Sequence, residues 1–282
     1  MRVKEIRIEG LFGMFDHVIP LNMEDHITII HGANGFGKTV LLQMVYGLLH
    51  GSIDSIIQIP FRRFEVSFDD NSNIWIDGSE NNEVEDRIPI GDFTPGYLTR
   101  NLREVEADTP VNQAISCHFP KVRQSALGNK ISKGKNTILP DIQTTHIDSL
   151  APKIQLLKDI INKRFLYKTV EVSSDLEFSF TDRNGKAVPI TALSSGEQHV
   201  LVLFYQLIFE MPPNSLILID EPELSLHVVW QQYFLKDLQH IIAHSSFDVI
   251  MATHSPQIIH DRWDLTVELN RPSYPIFTGD NG

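Results

Sequence analysis

Apolar and polar positions along the first thirty residues alternate in the manner of short strands. Val3, Ile6 and Ile8, then Val18, Ile19 and Leu21, form apolar or alternating runs broken by Gly10, Gly13 and Pro20. Ile27-Thr28-Ile29-Ile30 is instead continuous, the pattern of a strand buried on both faces. A Gly-rich segment, His31 to Gly37, follows it. Residues 38–50 then put Leu41, Leu42, Val45, Leu48 and Leu49 near one face of a predicted helix. Two strand-like runs, 61–70 and 73–77, are joined at Asp70-Asn71-Ser72-Asn73, a good hairpin turn. Residues 147–165 read as a helix whose basic end suits a helix C-terminus, and strands at 166–171 and 176–181 follow. The last third alternates: helix 195–210, strand 216–220, helix 225–243, strand 249–253, a short helix near 256–262, strand 265–269. Strands alternating with helices predict an α/β fold with a mostly parallel core sheet. There is no internal repeat, low-complexity tract or sustained heptad pattern.

Composition narrows the class. Hydrophobic residues at 42% and charged ones at 21% give ample material for a core, which excludes a disordered chain. No run of about 18 apolar residues is present, so no membrane-spanning helix is expected, and the N-terminus lacks a signal-peptide apolar region. Cys117 is the single cysteine; it cannot form an internal disulfide, which fits a reducing, cytoplasmic setting. The net charge of −12 argues against a general nucleic-acid coat. It is uneven, however. Residues 65–108 hold 12 Asp and Glu against 3 Arg, an acidic face that could engage a basic protein partner. Residues 109–140 hold no acid but carry Lys121, Arg123, Lys130, Lys133 and Lys135. As a contact for DNA or RNA, Lys121–Lys135 would give binding that falls steeply with salt; a solvated loop accounts for it equally well.

Three segments carry chemistry. Gly32-Ala33-Asn34-Gly35-Phe36-Gly37-Lys38-Thr39 matches G-x-x-x-x-G-K-[ST] in full, between a predicted strand and a predicted helix. Glycines let several backbone N–H groups converge on one anion, and the helix that runs on through Val40 adds its positive end. Lys38 supplies a point charge to terminal phosphates, and the Thr39 hydroxyl is a hard oxygen ligand suited to Mg²⁺. Leu216–Asp220 is a buried strand pattern ending in Asp220 and Glu221, which a parallel sheet delivers to its ligand edge. Asp220 is placed to hold Mg²⁺, and Glu221 to orient or deprotonate an attacking water. Finally, Leu193-Ser194-Ser195-Gly196-Glu197-Gln198 precedes an apolar helix, with Ser194 and Glu197 spaced as a capping box. A capped helix start with two hydroxyls is also a second anion site. Two cradles suit two chains packed head to tail, each closing the other's site.

These segments, with the following ELSLH and ATHSPQ, resemble the motifs of an ABC-type ATPase. More narrowly the chain resembles the soluble branch that includes SMC, RecF and OLD-family ATPases, an AAA_21-like group, and is similar to the ATPase subunits of Septu-like antiphage modules. The motifs fall in the expected order across residues 1–270. The resemblance implies one P-loop head filling 1–282, with an antiparallel β subdomain and a helical lobe that carries the signature. Its parts are expected at 1–92 (P-loop), 93–190 (insert and helical lobe) and 191–282 (signature, Walker B segment, switch histidine). It also implies ATP and Mg²⁺ as cofactors, with Ser194, Ser195, Gly196 and Glu197 reaching the nucleotide of a second copy. His254 would be the switch histidine sensing the γ-phosphate. The chain departs from the pattern at Ser195, where a second glycine is usual, and at Glu197, where transporters usually have Gln. Leu226-His227 replaces the usual Leu-Asp after Walker B. Gln113, Gln124 and Gln143 are alternative Q-loop glutamines. Phe12 and Phe15 are weak candidates for contact with adenine and more readily core aromatics.

A transporter subunit fits poorly with the long stretch between Lys38 and Leu193 and with EPELSLH. SMC-type arms would need heptads that the insert lacks, and the short C-terminal segment leaves no room for an OLD-type nuclease domain. The expectation is therefore an ATPase head that dimerises through composite ATP sites and regulates a separate effector, a nuclease or toxin, in prokaryotic defence. A RecF-like DNA repair clamp is the alternative.

Overall fold

The computed structural model describes residues 1–78, 117–118, 147–172, 178–224 and 226–269. The basic stretch Lys121–Lys135, the three candidate glutamines and most of the acidic stretch lie outside the described residues. Along the chain the elements begin with β1 (Val3–Leu11), β2 (Phe15–Pro20), β3 (Ile27–His31), α1 (Lys38–Leu49) and α2 (Ile53–Ile57). Next come β4 (Arg63–Phe68), β5 (Asn73–Asp77), β6 (Cys117–His118), α3 (Ile147–Arg164), β7 (Lys168–Val172), β8 (Phe178–Asp182) and β9 (Ala187–Val188). The last are α4 (Ser195–Tyr205), β10 (Leu216–Asp220), α5 (Val228–Ser245), β11 (Asp248–Ala252), α6 (Pro256–Ile259) and β12 (Thr266–Glu268). Two predicted helices are altered. The one expected to reach 210 leaves α geometry at Tyr205 and finishes as a π-helical turn, Gln206–Glu210. The one expected from Ser225 starts at Val228, because His227 caps it and accepts a bond from the Val229 amide at 3.3 Å.

The described residues form two compact units. The first takes those of 1–119, 214–221 and 247–282, and the second those of 120–213 and 222–246. The segment 191–282 contributes to both: Ser194–Glu197 to the second, Asp220, Glu221 and His254 to the first.

The first unit holds a five-stranded, all-parallel sheet in the order β12-β3-β11-β10-β6. Its middle strands are buried along nearly their whole length, as the continuous apolar runs require. Register matters here. Ile30, Ala252 and Asp220 lie in one row across β3, β11 and β10. The segments that follow them, the loop to Thr39, Thr253-His254 and Glu221, therefore emerge along one sheet edge. A second, antiparallel sheet runs β2-β1-β4-β5, closed by the Asp70 turn, where Asp70 accepts from the Ser72 amide at 2.9 Å. Leu41, Leu42, Val45 and Leu48 of α1 share one apolar cluster with Ile6, Ile8, Phe64 and Phe68 of the antiparallel sheet and Leu218 and Ile250 of the parallel one. Burying each such side chain stabilises by about 1.5–3 kcal/mol, so α1 and the loop before it are anchored by its apolar face.

The second unit packs α3, α4 and α5 with the three-stranded antiparallel sheet β7-β8-β9. Phe165 stacks between Phe180 and Trp230 at 6.1 and 5.8 Å, and Phe204 stacks on Phe234 at 5.9 Å. An ion pair is enclosed by this apolar interior. Arg164 donates to both oxygens of Asp237 at 2.8 and 2.6 Å, with both side chains nearly buried. Burial pushes the Asp237 carboxyl up, and the Arg164 guanidinium only partly offsets it.

Candidate functional site: a phosphate cradle and a signature loop

In the first unit, the loop between β3 and α1 is shaped by its glycines. Gly37, the N-cap of α1, has φ 85°, and a Cβ there would stand 2.6 Å from Leu11 Cδ2. Only glycine meets both demands. No side chain caps α1, so its first-turn N–H groups face the loop uncapped. Ala33, Asn34 and Gly35 are exposed, while Lys38 is buried beneath them and donates to the Gly32 and Ala33 carbonyls at 2.9 and 3.2 Å. A buried ammonium folded under exposed amides is a receptacle for an anion.

The row across the sheet brings the remaining groups to this loop. Thr39 Oγ1 donates to Asp220 Oδ1 at 3.2 Å, joining two motifs far apart in sequence. Glu221, next along, has φ 43° and donates its amide to the Ala252 carbonyl at 2.8 Å. A non-glycine residue in this left-handed region carries strain, of the kind that clusters at functional sites. His254 Nδ1 lies 3.8 Å from Glu221 Oε1, and both side chains are partly exposed. Among the described residues no group of three or more His, Cys, Asp or Glu side chains could hold a metal alone. The Thr39 hydroxyl and the Asp220 carboxylate instead stand 3.2 Å apart, a pair of hard oxygen donors.

Phe15 and Phe12 part company. Phe15 is a core aromatic, 5.4 Å from Phe36 of the loop. Phe12 is 37% exposed rather than buried, because φ 55° turns it out of β1 beside Gly37. Nothing at the motif level flags His17, yet it supports the cradle directly. It is 2% exposed, stacks on Phe15 at 5.7 Å, and its Nε2–H donates to the Phe36 carbonyl at 3.2 Å. Its Nδ1 has no hydrogen-bond partner. Burial holds the imidazole below its usual range, against the pull of the Phe36 carbonyl and Asp16. The signal was the alternation of β2, in which Phe15, His17 and Ile19 all face inward.

In the second unit, Ser194 caps α4 with the full reciprocal capping box. Its Oγ accepts from the Glu197 amide at 3.3 Å, and the Glu197 carboxylate accepts from the Ser194 amide at 2.7 Å. Ser194 and Ser195 are exposed. Ser194–Glu197 and His227 together line one cavity of about 850 Å³, walled by Tyr167, Trp230 and Tyr233. Two helix starts, α4 and α5, thus open onto the same space.

The AAA_21 family, described as "AAA domain, putative AbiEii toxin, Type IV TA system", matches residues 27–260. The Septu protein PtuA of Bacillus thuringiensis is 22% identical over 293 aligned positions, covering 91% of this chain and 72% of that protein. The "Retron Ec83 probable ATPase" of Escherichia coli is 26% identical over 199 positions, covering 60% of this chain and 33% of that protein. Among solved structures, the SMC head domain from Thermotoga maritima matches 92% of this chain and 91% of its own with TM-score 0.53 at 17% identity. An SMC head bound to the C-winged helix domain of ScpA matches 96% of both chains with TM-score 0.55 at 12% identity. The fold is that of an SMC/ABC-type ATPase head.

Proposed function

The chain belongs to the AAA_21 family of AAA domains, and on that premise we propose that it binds and hydrolyses ATP, closes head to tail on a second copy around shared nucleotides, and thereby governs a separate effector, a nuclease or toxin, in prokaryotic antiphage defence. The observation that carries the reading is the contact of Thr39 with Asp220, with Glu221 and His254 beside it on one edge of the parallel sheet. The relatives named for Septu and retron systems support the defence setting.

The chemistry follows from the groups present. The N–H groups of residues 33–40 and the Lys38 ammonium bind the β- and γ-phosphates and offset their charge. Thr39 and Asp220 would hold Mg²⁺, which when bound draws negative charge off the phosphate oxygens. Glu221 accepts a proton from water as that water attacks the γ-phosphorus in line, and ADP leaves with the transferred phosphate as the second product. His254, held near Glu221, orients the attacked phosphate and responds to its loss. Ser194, Ser195 and Gly196 of the second copy complete the site from the far side, so hydrolysis requires closure.

Glu221→Gln tests this directly. With ATP and Mg²⁺ it should still bind nucleotide but turn over slower by on the order of 10²-fold or more, and should sediment as a dimer. Ser194→Arg in the same background should bind ATP and remain monomeric. A Ser194→Arg protein that still dimerises with ATP would sink the composite site. Isolation from the native host should bring down a second, smaller protein.

A further inference from the structure

The signature loop is held from outside its own helix. Lys168, the first residue of β7, donates to both oxygens of Glu197, at 2.8 and 2.7 Å. Both side chains are mostly buried, with 22% and 12% of their surface exposed, so the pair is shielded more than a surface contact. Glu197 Oε2 also accepts from the Ser194 amide at 2.7 Å and the Ser194 hydroxyl at 2.9 Å. The Ser194 hydroxyl therefore donates its hydrogen bond to Glu197 and accepts one from the Glu197 amide in return. Ser195, one residue on, is exposed and makes no side-chain hydrogen bond among the described residues.

A carboxylate at this position raises a problem that a glutamine would not. It completes the capping box equally well, but it sets a negative charge beside a loop that must meet phosphate. A neutralising cation at fixed distance resolves the conflict. The geometry points to Lys168 as a positioning residue of the signature loop: by gripping Glu197 it keeps the capping box shut, cancels the local charge, and leaves the Ser195 hydroxyl as the one presented to the second copy's phosphate. Partial burial works to raise the Glu197 carboxyl, yet Lys168 and the Ser194 donors together hold it below the usual carboxylate range, so the carboxylate is ionised at neutral pH. The inference rests on the proposed closure with a second copy.

A double-mutant cycle tests it, read as the protein concentration at which ATP drives half-maximal dimer formation in the Glu221→Gln background. Lys168→Met should leave nucleotide affinity of the monomer unchanged and raise that concentration about tenfold, the loss expected for one charge-assisted contact. Lys168→Arg should restore it to within a few fold, a rescue that a mere packing role would not require. In a Glu197→Gln background, which keeps the cap but removes the charge, Lys168→Met should change little further. An unchanged dimerisation curve for Lys168→Met, or the same loss in both backgrounds, would overturn the assignment of Lys168 alone. Absence of ATP-driven dimers in the Lys168-containing parent would instead overturn the closure reading on which it rests.

Discussion

The loop at Gly32–Thr39 and the loop at Ser194–Glu197 both bring the start of a helix to a surface, and they are held by different physics. The first is fixed by backbone and burial. Its glycines take left-handed φ values, its lysine is buried under carbonyls, and α1 is anchored in the core of the first unit. The second is fixed by side chains, through a chain of charged and hydroxyl groups from Lys168 to Ser194. A cradle of this kind is set by backbone conformation and burial rather than by a pair of charges. A side-chain latch can be loosened by a single charge. The Gly32–Thr39 loop is thus built to be constant, and the Ser194–Glu197 loop to be adjustable.

The largest expected effect falls on the cradle. Lys38→Ala should lower ATP affinity on the order of 10²-fold or more, since two or more charge-assisted bonds vanish, while circular dichroism stays unchanged. Undiminished affinity by calorimetry would move phosphate recognition elsewhere. Arg164→Met strikes the second unit instead. It strands the buried Asp237 carboxylate and should cost about 3 kcal/mol or more in urea unfolding. Arg164→Met with Asp237→Leu should recover most of that loss; no recovery would show that the pair does more than cancel charge. A smaller contrast lies within the cradle itself. Gly35 and Gly37 have φ 87° and 85°, but a Cβ meets nothing at Gly35 and Leu11 at Gly37. Gly35→Ala should therefore cost about 1 kcal/mol, and Gly37→Ala roughly twice that. Equal costs would mean that Leu11 yields freely. The smallest effect concerns pH. His17 is held below its unfolded value, so the unfolded chain binds more protons, and stability falls as pH drops from 7 through 6.5 toward the folded value. His17→Gln should flatten that part of the stability curve; an unchanged slope would place its origin in another group.

The same contrast governs what could be read in advance. The cradle was legible because a buried parallel strand, a turn of glycines and an amphipathic helix each leave a periodic signature, and chemistry fixes the residues between them. Asp220 and Glu221 were legible for the same reason, at the end of an uninterrupted apolar run. Lys168 was not, because its partner lies far along the chain and a lysine opening a strand has no pattern of its own. The Arg164–Asp237 pair was hidden likewise, two charges on separate helices that only packing unites. The break to a π-helical turn after Tyr205 has no marker in the apolar periodicity, which runs on through Leu207 and Ile208.

The register of the parallel sheet carries a consequence for the order of synthesis. The strand that leads into the cradle leaves the ribosome well before its neighbours on both sides: Ile27 pairs with Val249, and Ile29 with Thr266. Until those arrive, β3 is an apolar segment with two unpaired edges, and contacts of such sequence separation form slowly. Competence to hold nucleotide therefore waits for β11 and β12. A chain interrupted before β11 would carry the whole glycine motif and still lack the sheet that gives it shape.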